Sequence, residues 1–282
     1  MYFLLNIFIW IRKNLIRIIF NEYPNIFLEI KKSDFKSDKK INLISSTNNF
    51  WVSKEMSKKW NSFSKIKNIN TEIFSNSDVN NFMFDNFKND LIYEIYKKSQ
   101  IPVQKIDIFR ICFIYRNGGI WLDLKSEVSI KTALDIYSKA KKNNGLLMFE
   151  PRKIDVIKNK NNRICKTREY VIHNGFFFLP KNSFFLKQLI KNVEKDYLYF
   201  EDIILLKPKQ GIMNLTGPNQ FTRTYHLLSS KDKPLLVSQK EINWQYISKY
   251  GEFISPIKFP KHYSSSTNKE IINSNSLIEL DN

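Results

Sequence analysis

The chain is expected to fold as an open α/β sheet of the Rossmann type, and three observations lead there. Short apolar runs alternate with segments of helical spacing through the first half of its 282 residues. A central block, Gln104 to Glu127, reads as helix, double glycine, strand and acid in that order. The hydrophobic fraction of 43% is enough for a sizeable core, so disorder is not the default.

The first stretch, residues 1–20, is apolar up to Ile11 and then broken by Arg12, Lys13 and Arg17. That run is too short to span a bilayer, and its charges follow the apolar part instead of preceding it, which does not fit a secretory signal. Three readings stay open: a buried helix, a helix lying in an anionic membrane surface with Trp10 as an aromatic anchor, or, least favoured, a poor signal anchor. Residues 1–39 are read as this N-terminal helical segment, followed by a polar stretch, and residues 40–282 as the main domain.

Ile41–Ile44 reads as the first strand and Thr71–Phe74 as the second, with helices over Phe50–Phe63, Val79–Phe87 and Leu91–Ser99. In the central block, apolar positions such as Ile106, Phe109 and Phe113 continue a mostly buried helix. Gly118-Gly119 supplies the left-handed turn that stops it. Ile120-Trp121-Leu122 is a short strand, and Asp123 falls at its carboxyl end, where ligands bind in open α/β sheets. Asp107 and Arg110, three apart, share a helical face. They form either an ion pair that ties the helix down or a ligand-facing pair, with Arg110 as a fork of donors and Asp107 as an acceptor for hydroxyls.

Further on, Val128–Ala140 reads as a strand-to-helix step, and Leu146–Glu150 as a strand with a structural Glu150 at its end. Residues 153–168 read as a solvated loop. Tyr170–Leu179 is a strand with a polar interruption at His173-Asn174; Asn-Gly there is either a hairpin turn or part of a pocket. Asn182–Tyr199 and Gln220–Leu228 read as helices. With only seven glycines there is no phosphate-cradling loop and no dinucleotide fingerprint.

The two cysteines, Cys112 and Cys165, make no disulfide framework, and no Cys/His spacing suits zinc. A reducing, cytoplasmic setting is the simpler expectation, with the chain peripheral at the membrane face if residues 1–20 bind lipid. The formal charge of +18 is spread along the chain and no nucleic-acid-reading motif accompanies it. No specific nucleic-acid partner is expected, while anionic substrates or surfaces are favoured.

The block from Asp107 to Asp123 resembles the core of glycosyltransferase family 32, with its capsular-polysaccharide and alpha-mannosyl transferases, and of the related clostridial glucosylating toxins. Asp107-Ile108-Phe109-Arg110 matches the family's Asp-x-x-Arg, and Gly118-Gly119-Ile120-Trp121-Leu122-Asp123 matches its double glycine, strand and first acid. The resemblance implies a GT-A fold, a mixed but mostly parallel central sheet flanked by helices. It further implies transfer of a sugar, with retention of configuration, from a UDP- or GDP-sugar to a glycan or glycolipid acceptor in surface polysaccharide synthesis. It places Asp107, Arg110, Asp123, Asn174 and Thr216 against the donor. The family's second acid falls here on Lys125, which cannot ligate a hard cation while protonated but can meet diphosphate as a point charge. Strand alternation would bring Asp123, Lys125 and Glu127 to one face. A manganese or magnesium ion would then be held by Asp123 and Glu127, with His262 of the terminal segment, or be dispensable. The alternative to an enzyme is an inactive nucleotide-sugar or glycan-binding module whose acidic motif has degraded.

Overall fold

The computed structural model describes residues 41–46, 60–66, 69–124, 126–139, 144–151, 157–158, 164–165, 170–246 and 269–275. The expected N-terminal segment, most of the Phe50–Phe63 helix, Lys125 and His262 lie outside the described residues.

Among the described residues six strands form the central sheet: β1 (Ile41–Ser46), β2 (Ile69–Phe74), β3 (Gly119–Leu122), β5 (Leu146–Pro151), β8 (Tyr170–Leu179) and β10 (Leu235–Ser238), in the order β10-β5-β8-β3-β1-β2. β2, β1 and β3 are parallel neighbours, as are β5 and β10, and β8 runs antiparallel between the two groups. The sheet is thus the mixed, mostly parallel one expected, in an α/β architecture. Five strands end at one edge, and β8 begins there.

The helices are α1 (Asn76–Phe87), α2 (Leu91–Lys98), α3 (Pro102–Asn117), α4 (Ile130–Lys139), α5 (Phe184–Asp196), α6 (Pro208–Leu215) and α7 (Pro218–Leu227). Strand alternation sorts the two faces. Ile120, Leu122, Phe176 and Phe178 face a core closed by Ile130 and Ala133 of α4 together with Trp60 and Phe63. Trp121 and its cross-strand partner Phe177 face the other side, where Phe109 of α3 and Phe221 of α7 meet them edge-on or tilted.

α3 is buried almost all round, from Gln104 to Ile114, which explains a sequence that lacks a polar face. Pro102 opens it, where a missing N–H costs nothing. Gly118 closes it with φ 71°, and a Cβ there would come within 2.7 Å of the Lys181 backbone nitrogen. Lys105 is buried too, and its Nζ donates to the Tyr96 and Lys97 carbonyls at 2.6 and 3.2 Å, closing the C-terminus of α2.

Three local expectations change. The Asn174-Gly175 pair makes no hairpin: it lies inside β8, where the register against β5 slips between Leu147 and Phe149. Residues 153–168 are not loop throughout, since β6 (Ile157–Lys158) and β7 (Ile164–Cys165) pair antiparallel. The alternation from Asp123 to Glu127 is interrupted: β3 ends at Leu122, the Ser126 N–H donates to the Asp123 carbonyl at 2.8 Å to close a turn, and β4 (Ser126–Glu127) starts afresh. β4 pairs with β11 (Gln245–Tyr246) outside the main sheet. A last small pair joins β9 (Ile204–Leu205) to β12 (Lys269–Glu270).

Candidate active site at the carboxyl edge

The site is assembled around Arg110. Its Nη2 lies 3.0 Å from Asp107 Oδ1 and its Nη1 3.0 Å from Asp123 Oδ1. The same Nη1 donates to the Asn174 carbonyl at 2.7 Å, and the guanidinium lies 4.9 Å over the Trp121 ring. A helix, the end of a central strand and the bulge of β8 are therefore tied through one side chain. A buried guanidinium needs such partners, because an unpaired charge in the interior costs several kcal/mol, on the order of 3–5 when one member of a pair is removed. Its Nε, also buried, finds none among the described residues.

Burial falls off from one end of this chain of contacts to the other. The side chains of Asp107 and Arg110 are 6% and 5% exposed, whereas that of Asp123 is 28% exposed. Asp107 is held on both oxygens: Asn174 Nδ2 donates to Oδ1 at 3.0 Å and the Thr216 hydroxyl to Oδ2 at 3.2 Å. Thr216 is itself fully buried at the end of α6, so it supports Asp107 from behind. Burial pushes the Asp107 carboxyl up to about 7, with Arg110 pulling it down and Asp123 adding to the rise. Asp123 is anchored by the Trp121 indole, whose Nε1 donates to Oδ1 at 2.9 Å, and its backbone N–H donates to the Gly175 carbonyl at 2.8 Å.

Gly175 is where the strand and the acid come closest. A Cβ built there would lie 2.8 Å from Asp123 Oδ2 and 2.8 Å from two ring atoms of His173. The Gly175 N–H donates to His173 Nδ1 at 3.0 Å, which leaves the ring hydrogen on Nε2. Burial lowers the His173 pKa from its ordinary value, in keeping with a neutral imidazole.

The described residues do not make a metal site. Asp123 Oδ1 already accepts from Arg110 and Trp121. Glu127 accepts from Gln245 Nε2 at 2.7 Å in the separate β4–β11 pair, so the expected convergence with Asp123 on one strand face does not occur. No group of three or more His, Cys, Asp or Glu able to hold a metal ion is found among the described residues.

The structure therefore brings together Asp107, Arg110, Asp123, Asn174 and Thr216, and sets Glu127 apart. Sequence reasoning gave no role to Gly175, Trp244 or the His173 ring. The signal for Gly175 was present but left a hairpin and a pocket equally open, because Asn-Gly is the same pair in both settings. Nothing local marked Trp244, whose ring lies 4.7 Å from that of His173 between centroids and which directly precedes the strand β11 paired with β4.

Residues 13–135 match the family model described as glycosyltransferase sugar-binding region containing DXD motif. Over that span the chain is similar to the DXD glycosyltransferases. The match ends beyond Asp123 and covers α3, the double glycine and β3, and it supports sugar transfer. Several solved structures are similar to this chain, and two of them are glycosyltransferases. One is the PaToxG glycosyltransferase, at 16% identity over 67% of this chain and 69% of that one, with a TM-score of 0.44. The other is the UDP-bound glycosyltransferase domain from the YGT toxin, at 12% identity over 64% of this chain and 54% of that one, with a TM-score of 0.34. A search of curated proteins finds no match. Among the described residues no helix is long and apolar enough to cross a membrane.

Proposed function

We propose that the protein transfers a sugar, with retention of configuration, from a UDP- or GDP-linked donor to a glycan or glycolipid acceptor. The observation that carries this reading is the bridging of Asp107 and Asp123 by Arg110 at the edge where the parallel strands end. That edge is where an open α/β sheet leaves its ligand crevice. Asp123, the partly exposed member, offers a carboxylate oxygen to sugar or ribose hydroxyls. Arg110 fixes that carboxylate, and the buried Asp107 with Asn174 and Thr216 fixes Arg110. Such rigidity is what orienting a donor requires, since misplacement by about 1 Å can cost on the order of a hundredfold in rate.

In the reaction an acceptor hydroxyl oxygen forms a bond to the anomeric carbon. The bond from that carbon to the diphosphate oxygen breaks with its electron pair, and the hydroxyl proton passes to the departing diphosphate. Charge grows on that diphosphate, so a cation aimed at it lowers the barrier. In this reading Lys125 supplies that charge. Asp123 serves as an orienting acid and is not proposed as half of a metal clamp, which its occupied Oδ1 supports. An anionic membrane surface next to residues 1–20, a cytoplasmic location and a role in surface polysaccharide synthesis remain part of the same proposal.

Asp123→Asn tests it. The substitution keeps the size of the side chain but removes its charge, so donor hydrolysis and transfer should be lost while the melting temperature changes little. Unchanged activity would overturn the site. A wild-type chain that binds nucleotide sugars but neither hydrolyses nor transfers them, with any divalent metal present, would show the binding module instead. Replacement of the second motif acid by Lys125 is what keeps that second reading alive.

A further inference from the structure

We infer that Trp244, set against His173, forms the wall on which a pyranose ring stacks beside Asp123; the inference rests on the sugar-transfer reading and gives its sugar a place. The Trp244 and His173 rings lie 4.7 Å apart between centroids at 53°. His173 is held in turn by the Gly175 N–H, and Asp123 Oδ2 and the His173 ring flank the same glycine. Trp244, His173 and Asp123 thus form one corner, with no side chain on residue 175 to separate the acid from the imidazole.

Trp244 is fixed from behind. Its backbone N–H donates to the Gln239 carbonyl at 2.8 Å, and the carbonyl of the buried Ile242, two residues before it, accepts from the Ser129 backbone N–H at 2.8 Å. Directly after it, Gln245 and Tyr246 pair with Glu127 and Ser126, a few residues beyond Asp123. Both flanks of Trp244 are therefore tied to the segment that follows the motif acid, while the residue itself packs against the core and is only partly buried. A partly exposed tryptophan with both neighbours anchored is pre-organised to contact something at little entropic cost.

The sheet order says which part of a ligand it would meet. β1 and β2 lie on one side of β3 and β8 on the other, with β5 and β10 beyond. Asp123 at the end of β3 and His173 in β8 stand on neighbouring strands, so a sugar held by Asp123 meets the His173–Trp244 pair. The chemistry matches. One face of a pyranose carries C–H groups that pack on the electron-rich indole face, and its hydroxyls point sideways to the carboxylate. The ring could belong to the donor or to the acceptor.

The test uses the full chain with Trp244→Ala and Trp244→Phe. Calorimetry measures UDP, GDP, a panel of UDP- and GDP-hexoses, and methyl hexosides. The expected result is that Trp244→Ala leaves free nucleotide binding within about twofold and weakens one class of sugar by roughly tenfold, with much of the loss recovered in Trp244→Phe. Selective weakening of nucleotide hexoses assigns the wall to the donor; selective weakening of methyl hexosides assigns it to the acceptor. Equal loss for free nucleotides, or no loss for any sugar while the variants stay folded, would overturn the inference. Sugar binding that depends on Trp244 in a chain that never hydrolyses a donor would preserve the wall and defeat the transferase reading. Donor hydrolysis by a chain in which neither variant weakens any sugar would do the reverse, and a wild type that binds no probe would end both.

Discussion

Arg110 is the residue whose geometry can least tolerate a conservative change. Two of its nitrogens reach two carboxylates and a backbone carbonyl from one planar group, and its face covers Trp121. A lysine keeps the charge but has one nitrogen on a flexible stem. Arg110→Lys should therefore lower donor hydrolysis by about a hundredfold or more, the size of effect seen when a fixed electrostatic donor is lost. Combined with Asp123→Asn it should cost little further, because both changes break the same contact; additive losses would show that the two act separately. Asp107 carries a different prediction. Burial raises its folded carboxyl to about 7, against about 3.9 for the unfolded group. Between those values the folded chain keeps a proton that the unfolded chain has released. The stabilising contribution is full below about pH 4 and is lost as pH rises through about 7. Asp107→Asn removes this dependence, so the difference in Tm between acid and neutral pH should narrow in the variant when followed by calorimetry. An unaltered difference would mean that Arg110 already holds Asp107 ionised.

At the scale of the element, α3 and β8 are unequal in what their sequences disclose. α3 announces itself through its apolar spacing, Pro102 at its start and Gly118 at its end, and its two acting side chains are three residues apart, so their shared face was legible from spacing alone. Lys105 was not, because a lysine inside an apolar helix gives no sign of the carbonyls it will meet; here they belong to the previous helix. Lys105→Met should leave the Tyr96 and Lys97 carbonyls without this donor and cost about 1–3 kcal/mol. Urea unfolding monitored by circular dichroism would measure it, and a neutral result would mean that water replaces the ammonium. β8 hid its main feature. Tyr170–Leu179 reads as one strand, and it is one, but the slip in register against β5 that turns Asn174 toward α3 depends on a partner some twenty residues earlier. Gly175→Ala tests that bulge. The new methyl would crowd Asp123 Oδ2 and the His173 ring at 2.8 Å, so either the acid or the strand must shift. Donor hydrolysis should fall tenfold or more, by analogy with other displacements of catalytic groups, while the chain still folds; full activity would show that the glycine is not a spacer.

Across the whole molecule, the α/β alternation, most element positions and the importance of the carboxyl edge could be read from composition and order. The placing of β8 between β3 and β5 could not, because strand pairing is a non-local matter decided by which faces are apolar. That one antiparallel insertion brings Asn174 and His173 to Asp123, and the β4–β11 pair brings Trp244. The same folding separates Glu127 from Asp123, since a turn resets the alternation on which a shared metal-binding face depended. The candidate site presents the partly exposed Asp123 carboxylate in a chain with a formal charge of +18. On the proposed reading a donor diphosphate is drawn by the protein's own cations, and such attraction is screened by salt, with a Debye length near 8 Å at about 0.15 M. Donor KM should therefore rise severalfold between low and roughly 0.3 M salt while kcat changes less, and chelation with EDTA should leave hydrolysis largely intact, since Asp123 Oδ1 is occupied by Arg110 and Trp121. Steady-state kinetics at fixed pH, with EDTA or added manganese, reads both effects at once. Abolition of turnover by EDTA with full recovery on manganese would assign Asp123 to a metal after all, and a KM indifferent to salt would remove the electrostatic account of donor capture.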